Sequence, residues 1–194
     1  MKEKIILTDA DGVLFDWIFS FDQWMKKHGY EKICDKKYCM AESYGLEKFQ
    51  IRRLIRIFNE SAMIRKLPPL RDAIKYVKKL HEDHGYVFHV ITSLSSEEYS
   101  QHLRTKNLCE MFGDSVFARY VYLDTGADKD DALKEYESSG CFWIEDKVEN
   151  CELGVSLGLN SILMAHDYNA NQTPEGAIRT QNWKEIYSVV TGQS

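Results

Sequence analysis

Two aspartates one residue apart, Asp9 and Asp11, followed at once by Gly12, are the side chains of this 194-residue sequence best placed to do chemistry. Two like charges that close repel each other, and a divalent cation held by hard carboxylate oxygens is the usual compensation. Asp-Gly after a strand is also an ordinary turn signal, so the motif needs support from the rest of the chain. Further along stand Thr92 with Ser93, Lys129, the adjacent acids Glu145 and Asp146, and Asn150. Lys129 follows Asp128 at what reads as a helix start, where the macrodipole disfavours a cation unless an anion is near. Neutralisation on the surface by Asp128, Asp130 and Asp131 is the alternative. Glu145 and Asp146 follow the apolar run Cys141-Phe142-Trp143-Ile144, where neighbouring carboxylates are costly unless they are solvated or bind a cation. The alternative is a solvated loop in which Asp146 caps the next helix, and Asn150 can be read as a cap too.

The elements that would position these groups follow from hydrophobic period. Ile5-Ile6-Leu7-Thr8 is a strand buried on both faces, delivering the two aspartates to the carboxyl edge of a sheet, where open α/β folds bind ligands. A helix is expected over Ile18–His28, with Phe21, Trp24, Met25 and His28 on one face, and a second over Leu46–Phe58. The second sets Ile51, Leu54, Ile55 and Phe58 against a basic face of Arg52, Arg53 and Arg56, read as solvated. Leu67-Pro68-Pro69 ends this region, and Pro69 opens the next helix. From there helices (70–81, 97–111, 129–137, 150–157, 183–190) alternate with strands (86–91, 116–123, 141–144, 161–164), each functional candidate falling just past a strand end or at a helix start. The expected fold is α/β: a Rossmann-like parallel sheet with helices on both faces, and a small helical cap inserted after the first strand. The core is 1–16 with 68–194 and the cap is 17–67. Residues 167–182, polar and rich in Asn and Gln, read as a surface loop.

Composition narrows the partners. Hydrophobic content of 44% and charged content of 28% suit a globular domain. The net charge of −5 argues against a nucleic-acid partner. No secretory signal and no apolar run of membrane-spanning length is read, so a cytoplasmic protein is expected. Five scattered cysteines (Cys34, Cys39, Cys109, Cys141, Cys151) without a CxxC pair read as reduced, mostly buried thiols.

Taken together, these residues resemble the haloacid dehalogenase superfamily of aspartate-nucleophile phosphohydrolases. Asp9-Ala10-Asp11-Gly12-Val13-Leu14 matches its first motif, Thr92 its second, Lys129 its third, and Glu145-Asp146 with Asn150 its acidic fourth. The resemblance implies Asp9 as nucleophile, forming an aspartyl-phosphate, and Asp11 as general acid and base. It implies Mg2+ held by Asp9, the Asp11 carbonyl and Asp146, with Glu145 or Asn150 assisting through water. Thr92 would donate to a phosphoryl oxygen, and Lys129 would offset charge on nucleophile and phosphoryl group. Members that cleave carbon–halogen bonds typically lack the second aspartate, so Asp11 points to phosphate esters.

A narrower resemblance is to the 5′(3′)-deoxyribonucleotidases, carried by the first motif extended through Asp16-Trp17, by Ile91-Thr92-Ser93 and by Leu67-Pro68-Pro69-Leu70. It implies a nucleoside monophosphate as the small phosphorylated substrate, with Trp17 stacking on the base and Ser93 beside the phosphate. The chain has Leu94 where that family usually has proline. Another phosphorylated metabolite is the alternative substrate. A receiver-like phosphoacceptor, in which Asp124 would be the modified residue, and an idle ligand-binding member are the rival classes. The oligomeric state is not legible.

Overall fold

Side chains of the first strand alternate between two apolar compartments, and the rest of the chain is arranged to fill them. The computed structural model describes residues 4–34 and 39–193; positions 1–3 of the expected core, 35–38 of the expected cap and Ser194 lie outside the described residues. In β1 (Lys4–Thr8), Ile6 points into the larger cluster and Leu7 into the smaller one. The other strands are β2 (Tyr86–Ser93), β3 (Phe117–Leu123), β4 (Phe142–Glu145), β5 (Asn160–Met164) and β6 (Ile178–Thr180). All six run parallel in the order β3-β2-β1-β4-β5-β6.

Between β1 and β2 lie α1 (Trp17–Lys27), α2 (Met40–Tyr44), α3 (Lys48–Asn59), a 3-10 turn at Ala62–Lys66 and α4 (Ala73–Glu82). The later helices are α5 (Glu98–Phe112), α6 (Asp130–Lys134), α7 (Val148–Ser156) and α8 (Trp183–Thr191). Helices α4, α5 and α8 cover the Ile6 face with Val77, Leu108 and Trp183, while α6 covers the Leu7 face with Leu133. The expected α/β architecture, a parallel sheet between helical layers, is therefore present. Helix α1 begins at Asp16, whose Oδ1 accepts from the Phe19 amide at 3.1 Å, and ends after two lysines that suit the negative end of the dipole. Phe21, Trp24 and Phe58 stack or meet edge-on, and they belong to the same apolar cluster as Ile6 and Phe88.

The 167–182 reading is corrected. Asp167–Asn169 is a 3-10 turn and Ile178–Thr180 is a sixth strand, paired with β5. Three residues are too few to show an alternating period, and two of the polar side chains of the stretch, Asn169 and Arg179, are structural. The Asn169 amide donates to the carbonyls of Asp146 (2.8 Å) and Met164 (2.9 Å), and Arg179 donates to the Asn169 carbonyl at 2.9 Å. Helix α7 also begins earlier than expected. Lys147 takes the cap position, so neither Asp146 nor Asn150 is its cap. Of the cysteines, all unpaired, only Cys151 is buried; the other four are half-buried.

The strand order reverses between β1 and β4, the switch point where open parallel sheets leave a crevice at their carboxyl edge. The receiver reading fails on this order, since receivers are wound 2-1-3-4-5.

Candidate active site

Register alone carries the first carboxylates together. Thr8 is opposite Ile144, and the Asp9 amide donates to the Ile144 carbonyl at 2.9 Å, so the next pair across the switch point is Asp9 and Glu145. Asp146 follows, and one oxygen from each of Asp9, Glu145 and Asp146 lies within 4.8 Å of the others. All three side chains are buried. The strand-one and strand-four acids therefore share one place rather than opposite rims.

Lys129 enters this cluster from the residue before α6. It occupies the cap position itself, rather than the first turn of a helix capped by Asp128, and its Nζ lies 2.8 Å from Asp9 Oδ2 and 2.7 Å from Glu145 Oε2. At 2% exposure it is an interior ammonium, and surface neutralisation by Asp128, Asp130 and Asp131 is excluded. Glu145 is enclosed by donors: Oε1 accepts from the amides of Asp146 (2.9 Å) and Lys147 (3.1 Å), and Oε2 from Lys129 and from Asn150 Nδ2 (3.0 Å).

Charges follow from this packing. Burial raises the Asp9 carboxyl to about 7, with Lys129 opposing and the neighbouring acids Glu145 and Asp11 adding to the rise. Burial would raise Glu145 too, but Lys129 and the amide donors more than offset it and hold that group down at about 2. Asp146 is pushed well above the usual carboxylate range, by burial first and by Glu145 and Asp9 next. Burial works against the Lys129 ammonium, yet Asp9 and Glu145 keep it above its ordinary value. Two of the three acids are driven to hold protons because they are buried and one ammonium cannot balance all three ionised, and a hard divalent cation could replace those protons.

Room for such an ion is kept by Gly12. Its φ is +76°, and a Cβ there would lie 2.3 Å from Asp146 Oδ2. Tyr168 Oη donates to the same Asp146 oxygen. The neighbouring His166 stacks on Tyr168 (4.8 Å between centroids) and donates from Nε2 to the Gly12 carbonyl at 2.7 Å. Burial lowers the His166 pKa, consistent with a neutral ring protonated at Nε2. Sequence reasoning missed Tyr168 because it read residues 167–182 as a surface loop, and it did not single out His166.

Asp11 carries a second unexpected partner. Arg104, on α5, is wholly buried and grips both oxygens of the carboxylate at 2.7 and 3.2 Å. Only the fold shows it: Ser100, Leu103, Arg104, Asn107 and Leu108 form one buried stripe of α5, polar enough that the sequence period does not reveal it. Thr92, the next-to-last residue of β2, is 1% exposed with an Oγ1 that has no hydrogen-bond partner. Ser93 donates to the Ala127 carbonyl at 2.8 Å and lines the same space.

Asp9, Asp11, Thr92, Lys129, Glu145 and Asp146 all line one cavity of about 470 Å³. Trp17 lines it, 9% exposed, stacked on Phe21 at 4.7 Å and donating from Nε1 to Asn59 Oδ1 at 3.0 Å. Asn59 in turn donates to the Leu94 carbonyl at 2.9 Å. The basic face of α3 divides. Arg56 pairs with Asp124 at the surface, whereas Arg52, with Lys48 one turn earlier, lines the cavity and has no hydrogen-bond or ion-pair partner among the described residues. Asp124 is not part of the cavity, which removes the last support for a receiver. Among the described residues no helix is long and apolar enough to cross a membrane.

Comparison with known proteins agrees with the geometry. Residues 3–193 match the family described as 5′ nucleotidase, deoxy (Pyrimidine), cytosolic type C protein. The chain belongs to that family. It is a phosphomonoester hydrolase of the nucleotidase-like branch of the haloacid dehalogenase superfamily. An uncharacterized 32.4 kDa protein from the Gp30-rIII intergenic region of enterobacteria phage T4 is 23% identical over 190 residues, covering 93% of this chain and 67% of that protein. Among solved structures, a haloacid dehalogenase-like hydrolase from Streptococcus pneumoniae superposes with a TM-score of 0.64 at 15% identity, covering 97% of this chain and 98% of that one. A predicted phosphatase from Clostridium acetobutylicum gives 0.64 at 14%, covering 98% and 99%. The D,D-heptose 1,7-bisphosphate phosphatase from B. bronchiseptica, solved with magnesium and phosphate, gives 0.60 at 11%, again covering 98% and 99%. At these identities the structures speak for the nucleotidase family's fold, and the family match speaks for its chemistry.

Proposed function

We propose that this nucleotidase-family chain is a magnesium-dependent hydrolase of nucleoside monophosphates. The observation that carries the reading is one cavity lined both by phosphate chemistry and by an indole. Its lining includes the clustered acids, Lys129 and an unpartnered Thr92 hydroxyl. Trp17 lines the same cavity.

Asp9 and Asp146, with the Asp11 carbonyl, would hold Mg2+, which supplies charge neutralisation for the phosphoryl oxygens and the attacking carboxylate. Glu145 and Asn150, proposed from sequence to assist through water, are bonded to each other, and Glu145 also accepts from Lys129. Through Glu145 the pair orients that ammonium. Asp9 attacks phosphorus, forming the aspartyl-phosphate as the ester P–O bond breaks. Asp11 gives its proton to the leaving oxygen, then takes one from the water that hydrolyses the intermediate, returning Asp9 and releasing phosphate. Thr92 donates to a phosphoryl oxygen, Lys129 balances the charge that builds there, and Ser93 lines the approach. Residues 17–67 act as the cap, bringing Trp17 to the base.

A second reading, a substrate with another anionic group, is favoured by Lys48 and Arg52 lining the cavity without partners. One screen decides between them. Phosphate release is measured from nucleoside monophosphates, sugar phosphates and bisphosphates, with magnesium and with a chelator. The nucleotide reading expects turnover of nucleotides that the chelator stops, and Trp17→Ala raising KM for them by about tenfold, a stacking contribution of about 1–2 kcal/mol, with little change for nitrophenyl phosphate. Equal KM changes on both esters would remove the base-stacking role, and a preference for bisphosphates would favour the second reading.

A further inference from the structure

We propose that Arg104 is the positioning residue that aims the Asp11 carboxylate at the leaving oxygen, a claim resting on the acid role of Asp11 given above. An arginine with 0% exposure is costly to bury unless its charge is met in full. Here the only anionic partner among the described residues is Asp11, whose own side chain is 21% exposed at the cavity. An interior cation is thus committed to one carboxylate that still reaches the site.

The geometry is that of a fork holding a plane. Nη1 to Oδ1 is 2.7 Å and Nη2 to Oδ2 is 3.2 Å, so two points fix the carboxylate's orientation where a lysine would fix one. The Nε is buried without a hydrogen-bond partner, so no other acceptor competes for the guanidinium's direction. Its position is set by packing instead, with the guanidinium 5.5 Å from the centre of the Phe15 ring. Phe15 belongs to the turn that carries Asp11: the Gly12 amide donates to the Phe15 carbonyl, and the Phe15 amide to the Ala10 carbonyl, both at 2.9 Å. Phe15 also meets Phe112 of α5 edge-on at 5.8 Å. Turn and helix are therefore locked at two points, one aromatic and one ionic. The Oδ2 arm is the longer of the two.

The test uses kcat/KM, which reports only steps up to transfer of the phosphoryl group to Asp9. Arg104→Met should lower kcat/KM for a nucleoside monophosphate, whose alkoxide must be protonated, by about 10²-fold. For nitrophenyl phosphate, whose phenolate leaves unaided, the loss should stay under about tenfold. Arg104→Lys, with charge but no fork, should still lose about tenfold on the alkyl ester. In an Asp11→Asn background, adding Arg104→Met should change neither ester further, because Arg104 acts through Asp11. Equal losses on both esters, or a further loss in the Asp11→Asn background, would overturn the proposal and leave Arg104 a structural residue. If Arg104→Met does not fold, Arg104→Lys and the double variant, which removes both charges together, carry the same comparison. Asp11→Asn that leaves both esters untouched would instead sink the acid role of Asp11 itself, and the positioning claim with it.

Discussion

Thr92 shows what a single residue contributes when its neighbours leave it alone. A hydroxyl at 1% exposure with no partner carries an uncompensated desolvation cost. A ligand oxygen accepting its proton removes that cost. Thr92→Val keeps shape and removes the hydroxyl, so folding stability should hold or rise by about 1 kcal/mol. Turnover should fall by about 10²-fold, the usual effect of deleting one donor to a developing anion. Thermal melts and phosphate-release rates measured on the same preparation check both. The acids were legible in sequence because Asp-x-Asp-Gly and Glu-Asp interrupt apolar runs. Arg104 was not, because a helical arginine ordinarily reads as surface.

At the scale of elements, the segment after β5 decides how firmly the proposed metal site is held. Asn169 and His166 tie it to β4, to the end of β5 and to the Gly12 turn, and Tyr168 reaches Asp146 from it. Hydrogen bonds to a ligating carboxylate set its orientation and basicity. Tyr168→Phe should therefore weaken magnesium binding by about tenfold or more, measured by calorimetric titration, while the melt of the metal-free protein changes little. Helix α3 works at the same scale. Its period predicted the apolar face, but which cations face the cavity depends on how the helix sits over the sheet, and only Lys48 and Arg52 are turned that way.

The whole molecule feels the charge at its switch point. Asp9, held up at about 7, and Asp146, raised in the same direction, keep protons in the folded state that the unfolded chain loses near pH 4. Stability of the metal-free protein should then fall as pH rises from about 4 through 7, because over that window the native state binds the extra protons. Glu145, held at about 2, acts with the opposite sign: its contribution is present above about pH 5, lost as pH falls toward 2, and so nearly constant over this window. A drop of about 5–10 °C in Tm between pH 5 and pH 8 is expected, largely abolished by magnesium and flattened in Asp9→Asn. Differential scanning calorimetry across pH, with and without the ion, checks the sign; a melt that rose over this window would refute it.

Local pattern determined much of this protein. The order of strands and helices, the acids at the ends of β1 and β4, the threonine, the lysine and the indole all follow from period, breakers and motif, which are properties of neighbours along the chain. Tertiary structure decided the rest. Register across β1 and β4 set which acids meet, and burial turned Lys129 from a surface cation into an interior one. The packing of α5 against the first turn gave Asp11 its arginine, and a 3-10 turn after β5 brought Tyr168 to Asp146. These depend on contacts between residues far apart in sequence, whose energies no local window of the chain contains.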